Sequence, residues 1–425
     1  MNSPTSPACT PAKTRLLRFM MTLLAIVAGA APAFGQPVRV LTLADTLIGG
    51  VGGVAVDRLG YIYVADFGET VWKIKPDGRV TKFATGLYGA SGNTFDAHGN
   101  LYQSNFSGHF ISRIDRTGAH EIAFDEGLQG PVGITFGPDG NLYVCNCQGN
   151  TISKAAPDGI VTPFAEGDLF NCPNGITRDT DGNLYVVNFS DENMLKITPD
   201  GTVTHFATLP GGGNGHVAFA QGNLYATSFQ GHRVYRVSLT GEVEHIAGSG
   251  FGEVDGPGME AKFSWPNGIA AGPLGDRLYT NDFINRFPPT LERPPVPLSS
   301  VRMLKLASLA DLMAQALNTD GIEHMTAVYK DYKSDPSTAP PYTEQEVNAL
   351  GYRLMAAGQL EAAIAVFQLN VGSYPQSFNV YDSLGEAYRK AGQKDLAIEF
   401  YEKSLELNPN NENGRTALKE MRSEG

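Results

Sequence analysis

The sequence predicts an all-β ring of six four-stranded sheets, a six-bladed β-propeller, followed by a small all-α region. Three observations predict this architecture. A glycine that opens one strand and a tyrosine in the next strand recur in step at intervals of roughly 40 residues. A short turn such as Pro199-Asp200-Gly201 precedes the last strand of most repeats. After Ser308 the hydrophobic spacing changes from a period of two to a period of about 3.6, which indicates helices.

The repeated unit is clearest in residues 175–206. Its predicted strands are Gly175–Thr177, Leu184–Val187, Met194–Thr198 and a last strand that begins at Val203. A sheet this small cannot bury both of its faces alone, so we expect the copies to stack around an axis. The recurring glycines are Gly53, Gly92, Gly133, Gly175, Gly215 and Gly268, and the recurring tyrosines are Tyr63, Tyr102, Tyr143, Tyr185, Tyr225 and Tyr279.

The sixth repeat lacks a fourth strand of its own. It supplies Gly268–Ala271, Arg277–Thr280 and Ser300–Leu306 before the helical pattern begins, which would leave an open sheet edge. Val38–Leu43 is a strand with no blade of its own. We therefore expect this N-terminal strand to complete the sixth blade and close the ring.

The repeats resemble those of NHL-repeat and SMP-30/gluconolactonase-like propellers. The text GVAVDRLGYIYVAD at 53–66, the text GITFGPDGNLYVCN at 133–146 and the inter-blade stretch 247–269 carry this resemblance, which extends over about residues 45–306. Related propellers serve as binding modules, lactonases and lyases. The resemblance therefore implies the fold and leaves the function open.

Two stretches after the propeller resemble tetratricopeptide repeats (TPR) position by position. The matching positions are Val347, Leu350, Gly351, Leu354, Ala363, Phe367, Asn370 and Pro375 in 344–377, and Tyr381, Leu384, Gly385, Tyr388, Ala397, Tyr401, Ser404 and Pro409 in 378–411. The small residues let paired helices approach each other, and the large ones fill the groove between them. We expect a leading helix pair over 309–333, interrupted at 319–321, a hinge at 335–342 and a closing helix at 413–421.

The first 35 residues have the layout of a secretory signal peptide. Basic residues precede the apolar run Phe19–Ala28, and Ala31-Pro32-Ala33 offers a cleavage site. An uncleaved anchor is the alternative, but the run is short for a membrane span. We expect a secreted or periplasmic protein that is not an integral membrane protein after cleavage. The predicted parts are the signal peptide (1–35), the propeller (36–307), a helical connector (308–343) and the TPR repeats with a capping helix (344–425).

The positions just before the opening glycines are expected to line the mouth of the central channel. They are Gly52, Ser91, Val132, Asn174, Asn214 and Asn267. In SMP-30-like enzymes an asparagine in a Pro-Asn-Gly context is a divalent-metal ligand, and Asn174 and Asn267 stand in that context. The resemblance thus implies Ca²⁺ or Mg²⁺ bound by Asn174, Asn214 and Asn267. However, the family's sites also carry carboxylates, and no ring position here does. We favour the alternative that these asparagines hydrogen-bond the inter-blade loops.

A second ring of polar residues follows the tyrosines, and an aromatic residue follows it in five blades. We expect the polar ring (Asp66, Asn105, Asn146, Asn188, Ser228 and Asp282) to cap loop amides and the aromatic set (Phe67, Phe106, Phe189, Phe229 and Phe283) to pack between blades. Blade three has Cys147 instead. In an exported protein Cys147 and Cys172 are a candidate disulfide, with Cys145 as a competing partner.

Two histidines of the fifth blade, His216 and His232, are candidate general bases near the mouth. His216 is the candidate that an enzyme hypothesis would use, with a loop carboxylate such as Asp191, Glu192 or Asp255. The proline-rich loop 285–299 is either a packing surface or a lid over the mouth. The formal charge of −12 argues against a nucleic-acid partner, which would require a basic face.

The sequence favours an exported module or scaffold over an enzyme. A small molecule would bind at the mouth through Ser91, Asn174, Asn214 and Asn267, and a protein or peptide would bind the TPR region. The alternative is a metal-dependent lactonase-type hydrolase or a related lyase. The absence of an acid at any ring position decides between them at this stage.

Overall fold

The computed structural model describes residues 38–284, 297–334 and 343–423. The predicted signal peptide, the hinge at 335–342 and most of the proline-rich loop lie outside these ranges. The described residues form six β-sheets followed by six helices, which confirms the predicted fold class.

Blades one to five each have four antiparallel strands in sequence order. Blade one contains β2 (Val54–Val56), β3 (Ile62–Ala65), β4 (Val71–Ile74) and β5 (Val80–Ala84), and blade two contains β6 (Ala90–Phe95), β7 (Leu101–Asn105), β8 (Phe110–Ile114) and β9 (His120–Phe124). Blade three contains β10 (Pro131–Phe136), β11 (Leu142–Asn146), β12 (Thr151–Ala155) and β13 (Val161–Glu166). Blade four contains β14 (Pro173–Arg178), β15 (Leu184–Asn188), β16 (Asn193–Ile197) and β17 (Val203–Thr208), and blade five contains β18 (Asn214–Ala220), β19 (Asn223–Ser228), β20 (Arg233–Ser238) and β21 (Val243–Ala247).

The sixth sheet is completed by the N-terminal strand, as the sequence predicts. Its order is β22-β1-β25-β24-β23. The strands are β1 (Arg39–Ile48), β22 (Gly256–Pro257), β23 (Ile269–Ala271), β24 (Arg277–Phe283) and β25 (Leu298–Lys305). β1 runs antiparallel to β25, with Arg39 opposite Lys305 and Val40 opposite Leu304. The ring is therefore closed by strands from opposite ends of the propeller sequence, and a short inter-blade strand covers the outer edge of β1.

The hydrophobic core lies between the blades, because alternate side chains of a strand point to opposite faces. In β15, Leu184 and Val186 pack against blade three, whereas Tyr185 and Val187 pack against blade five. The run Leu184–Val187 of β15 is therefore continuously apolar, since both faces of its sheet are covered.

The six opening glycines are the points where neighbouring inner strands come closest. A Cβ built on Gly268 would lie 2.6 Å from the Gly52 carbonyl oxygen, and one on Gly53 would lie 2.8 Å from the Cα atom of Gly92. The other four glycines abut the next blade in the same way. Because no side chain fits there, glycine recurs at this position in every repeat.

Six helices follow the propeller: α1 (Leu309–Ser334), α2 (Thr343–Ala356), α3 (Leu360–Ser373), α4 (Phe378–Lys390), α5 (Lys394–Leu407) and α6 (Glu412–Ser423). The predicted interruption of the leading pair is confirmed at Gly321, which has φ of 81° inside α1. Gly351 faces the Phe367 ring and Gly385 faces the Tyr401 ring, as predicted for helix pairs that approach closely. None of the described helices is long and apolar enough to span a membrane.

Candidate functional site

A cavity of about 270 Å³ opens at one end of the propeller axis. The inner strands of the blades begin at this face, and the loops after the second strands and between blades surround it. The buried side chains of its lining, called the floor below, are Val51, Ser91, Val132, Asn174 and Asn267. The fold thus brings together three of the four predicted ligand-binding residues, namely Ser91, Asn174 and Asn267.

Asn214, the fourth of these residues, does not line the cavity. Its side chain is completely buried, and its Nδ2 atom donates a hydrogen bond of 3.1 Å to the Asp191 carbonyl oxygen in the preceding blade. In blade one the cavity lining is Gly50 and Val51, immediately before the expected position Gly52.

The floor asparagines hold adjacent blades together. Asn174 Nδ2 donates hydrogen bonds to the carbonyl oxygens of Asn214 and Gly215, at 3.1 and 2.8 Å. Asn267 Nδ2 donates one of 2.6 Å to the Val51 carbonyl oxygen across the closure of the ring. This geometry supports the structural interpretation of the asparagines, because both amide NH₂ groups are held by backbone of the next blade.

The floor does not fit the divalent-metal site that the family resemblance implies. Ca²⁺ and Mg²⁺ prefer several oxygen ligands that include carboxylates. Here no aspartate or glutamate belongs to the described cavity lining, and Asn214 points away from it. Across residues 38–284, 297–334 and 343–423, no group of three or more His, Cys, Asp or Glu side chains is arranged to hold a metal ion. The buried Oδ1 atoms of Asn214 and Asn267 have no hydrogen-bonding partner among the described residues, but two neutral amide oxygens do not make such a site.

Five phenylalanines form a collar around the mouth of the cavity, one from each blade except blade three. They are Phe67, Phe106, Phe189, Phe229 and Phe283. The expectation that this set packs between blades is therefore only partly right. Phe67 contacts Phe106 and Phe189 contacts Phe229, with ring centroids 5.6 and 5.5 Å apart, but each ring also faces the opening. Phe67 is 45% exposed and the other four are half-buried, so the collar offers an open apolar surface.

A disulfide between Cys147 and Cys172 occupies the collar position of blade three. It joins the loop after β11 to the residue that precedes β14 of blade four. Cys145, the competing partner considered from the sequence, is a buried free thiol whose pKa is raised by burial. The bridge thus replaces the missing aromatic ring with another apolar group.

The polar ring beneath the collar caps loops, as predicted. The side-chain oxygens of Asn105 and Asn146 accept hydrogen bonds from Tyr88 N and Gln129 N in the preceding inter-blade loops, at 2.8 and 3.0 Å. Asp282 accepts one from Ser264 N at 3.2 Å. Asp282 is also paired with Arg302, and burial raises its pKa to about 6.

Neither candidate histidine meets an acid at the mouth. His216 is not part of the cavity lining, its buried Nε2 atom has no hydrogen-bonding partner in the described chain, and burial lowers its pKa to about 4. His232 Nδ1 accepts a hydrogen bond of 3.1 Å from Trp265 N, and its ring packs against Phe251 and Trp265. Burial also lowers the pKa of His232.

The three loop carboxylates that the enzyme hypothesis would need form hydrogen bonds or ion pairs away from the mouth. Glu192 accepts a hydrogen bond from Gly211 N at 2.8 Å, and Asp191 accepts one from Asn193 N at 2.8 Å. Asp255 lies beside Thr42 and Arg302 in the sixth sheet. None of them lines the mouth cavity. The sequence did not single out the collar as the cavity wall, although its five phenylalanines recur at one register after the second strands of their blades.

Residues 60–249 match the family model described as the virginiamycin B lyase family, and residues 383–411 match the tetratricopeptide repeat model. No curated protein matches the chain. Among solved structures, an auxiliary nutrient binding protein from Bacteroides thetaiotaomicron is 14% identical with a TM-score of 0.54, over 64% of this chain and 78% of that one.

Two enzymes are also similar to the chain. A gluconolactonase from Xanthomonas campestris is 18% identical with a TM-score of 0.49, over 64% of this chain and 90% of that one. A catalytically inactive virginiamycin B lyase from Staphylococcus aureus, with quinupristin, is 19% identical with a TM-score of 0.45, over 60% and 80%. The chain therefore combines a six-bladed β-propeller, similar to the virginiamycin B lyase family over residues 60–249, with a C-terminal tetratricopeptide repeat.

Proposed function

We propose that this protein is an exported binding protein. Its propeller takes an apolar or aromatic small molecule at the mouth cavity, and its helical region docks a segment of a partner protein. Export is supported by the layout of the first 35 residues.

The observation that carries the proposal is the collar. Five phenylalanines and a disulfide surround a cavity of about 270 Å³, and its described lining contains no charged side chain. Removing apolar surface from water contributes roughly 25 cal/mol per Å². Small-molecule sites are typically such apolar concavities with a few polar groups, and here Ser91, Asn174 and Asn267 supply the polar groups.

The docking role of the helical region is supported by the stacked helix pairs α2–α3 and α4–α5. Gly351 and Gly385 allow each pair to pack closely. The first helices of the two pairs lie side by side, since the Tyr352 hydroxyl of α2 hydrogen-bonds Ser383 and Glu386 of α4. Grooves of this kind receive extended or helical segments.

A metal-dependent hydrolase remains the alternative, and the lining argues against it. Such an enzyme needs a charged ligand set for the metal and a base within hydrogen-bond reach of a water. The described floor offers neutral amides, and His216 is buried and does not line the cavity.

The test is binding of the neutral fluorescent probe N-phenyl-1-naphthylamine. We expect saturable binding that weakens about tenfold or more in Phe229→Ser, because an anchor ring is lost. Phe378→Ser, at a phenylalanine of α4 that is 37% exposed, is the matched control and should bind like the parent protein. Equal binding by the parent and Phe229→Ser would contradict the proposal. A rise in the thermal midpoint with millimolar Ca²⁺ or Mg²⁺ would instead support the enzyme alternative.

A further inference from the structure

A second cavity lies beside the mouth between blades one and six. This rim cleft has a volume of about 580 Å³ and shares Gly50, Phe67 and Phe283 with the mouth cavity. Asp66 and Trp72 contribute to the part that the two cavities do not share. Because the two cavities share these three lining residues, they adjoin, and one elongated ligand can contact both.

Asp66 is a buried carboxylate of the rim cleft that has no cationic partner among the described residues. It is 9% exposed, and Oδ1 accepts hydrogen bonds from Gly68 N and Thr70 N at 2.7 and 3.0 Å. No described lysine, arginine or histidine forms an ion pair with it. Asp282, the corresponding residue of blade six, is instead paired with Arg302. Burial raises the pKa of Asp66, as expected for a carboxylate whose charge is not compensated.

The charged side chains of the described lining give the rim cleft a negative net charge. Glu69 and Lys82 line it together with Asp66. The Lys82 Nζ atom lies over the Trp72 ring, 5.6 Å from the ring centroid, and not on either carboxylate. Among the described residues the cleft therefore holds two acids and one base, and the base is in contact with an aromatic face.

We propose that the propeller's ligand is an organic cation with an apolar body. The apolar body lies within the collar, and the ammonium group lies in the rim cleft beside Asp66. A charge-assisted hydrogen bond to a buried carboxylate is about twice as strong as a neutral one. The faces of Phe67 and Phe283, which line both cavities, add cation–π attraction. This inference rests on the proposed function, since it presumes binding at the mouth.

The experiment compares phenylalkylammonium ions of two to six methylenes with neutral phenylalkanols of the same length, by calorimetry at neutral pH. We expect the best ammonium ion to bind the parent protein about tenfold more tightly than its alcohol. Asp66→Asn should make the two affinities equal. The variant should fold, because asparagine occupies the same place in blades two, three and four. Glu166→Gln removes one charge from the exposed outer strand of blade three and should keep the preference.

The outcomes separate this inference from the proposed function. Alcohols and ammonium ions that bind the parent equally well would overturn the cation assignment and leave apolar binding intact. An ammonium preference that persists in Asp66→Asn would also overturn it, because the cation would lie elsewhere. No binding of either series would overturn both proposals.

Discussion

Arg302 of β25 lies 3.1 Å from Asp282 of β24, and both side chains are excluded from water, with exposures of 1% and 0%. Arg302 also donates hydrogen bonds to Asp255 and to the carbonyl oxygens of Lys262 and Val254. Asp255 in turn accepts hydrogen bonds from the backbone and the hydroxyl of Thr42 in β1. One arginine thus connects the closing strand, the inter-blade segment and the polar ring of blade six.

Arg302→Met should destabilise the propeller by about 3–5 kcal/mol, because it leaves the Asp282 carboxylate buried and unpaired. Arg277→Met is the matched control, since Arg277 pairs with Asp276 at the surface of the same sheet, where loss of the pair costs about 0–1 kcal/mol. Guanidinium unfolding followed by tryptophan fluorescence measures this, because both tryptophans, Trp72 and Trp265, lie in the propeller. Equal losses in the two variants would contradict the role of Arg302.

Gly268→Ala should destabilise the propeller by about 3 kcal/mol or prevent folding, because the new methyl group would meet the Gly52 carbonyl oxygen at 2.6 Å. Gly272→Ala, four residues on, is the control. Its added Cβ would lie 3.4 Å from the Tyr279 ring and 3.6 Å from the Arg277 carbonyl oxygen, which are ordinary contact distances. Thermal unfolding should show a large drop in the midpoint for the first variant and a small change for the second. Similar midpoints would refute the close approach of inner strands at Gly268.

His216 should make the propeller lose stability as the pH falls from about 6.5 to about 4. Its pKa is lowered by burial from 6.5 to about 4 in the folded state, so only the unfolded chain takes up the proton in that range. The full loss is about 3 kcal/mol. Asp282, with its raised pKa, acts in the opposite direction, but it is present in every variant compared.

His216→Gln should therefore flatten the pH dependence, and the difference in unfolding free energy between parent and variant should shrink or reverse toward pH 4.5. His98→Gln, at an exposed histidine, is the control and should follow the parent. Parallel curves for the parent and His216→Gln would show that His216 is protonated equally in both states.

Cys147→Ser with Cys172→Ser should cost about 3 kcal/mol, because the bridge closes a loop with a sequence separation of 25. A reducing agent should lower the unfolding midpoint of the parent and leave that of the double variant unchanged. If reduction shifts neither protein, the pair contributes nothing to stability in solution.

The fold was predictable from the sequence because its determinants are local and repeated. A glycine that must touch the next blade and a tyrosine that must pack between sheets each recur six times. The closure by β1 followed from counting strands, since a sixth blade with three strands leaves an open edge.

Only part of the candidate site could be predicted from the sequence. The floor residues Asn174 and Asn267 follow from the repeat register, whereas the direction of the collar rings does not. Phe67 has φ of 54°, a conformation that turns its loop and that an alternating pattern does not encode. The closeness of Asp66 to the glycine-rich residues 49–53 depends on how two strands bend. The spacing of the sequence motifs does not predict it either. A Cβ on Gly49 would meet Asp66 within 3.0 Å, so the Asp66 side chain occupies the space beside Gly49.

The pairing of β1 with β25 also sets an order of events during synthesis. β1 leaves the ribosome before any blade exists, yet its partner is complete only after Lys305. The first five sheets can form one after another, whereas β1 cannot pair with β25 until that strand has been synthesised. A chain that stopped before residue 298 would present both unpaired flanks of the ring to its neighbours, so we expect such a truncated chain to aggregate more readily than the full-length chain.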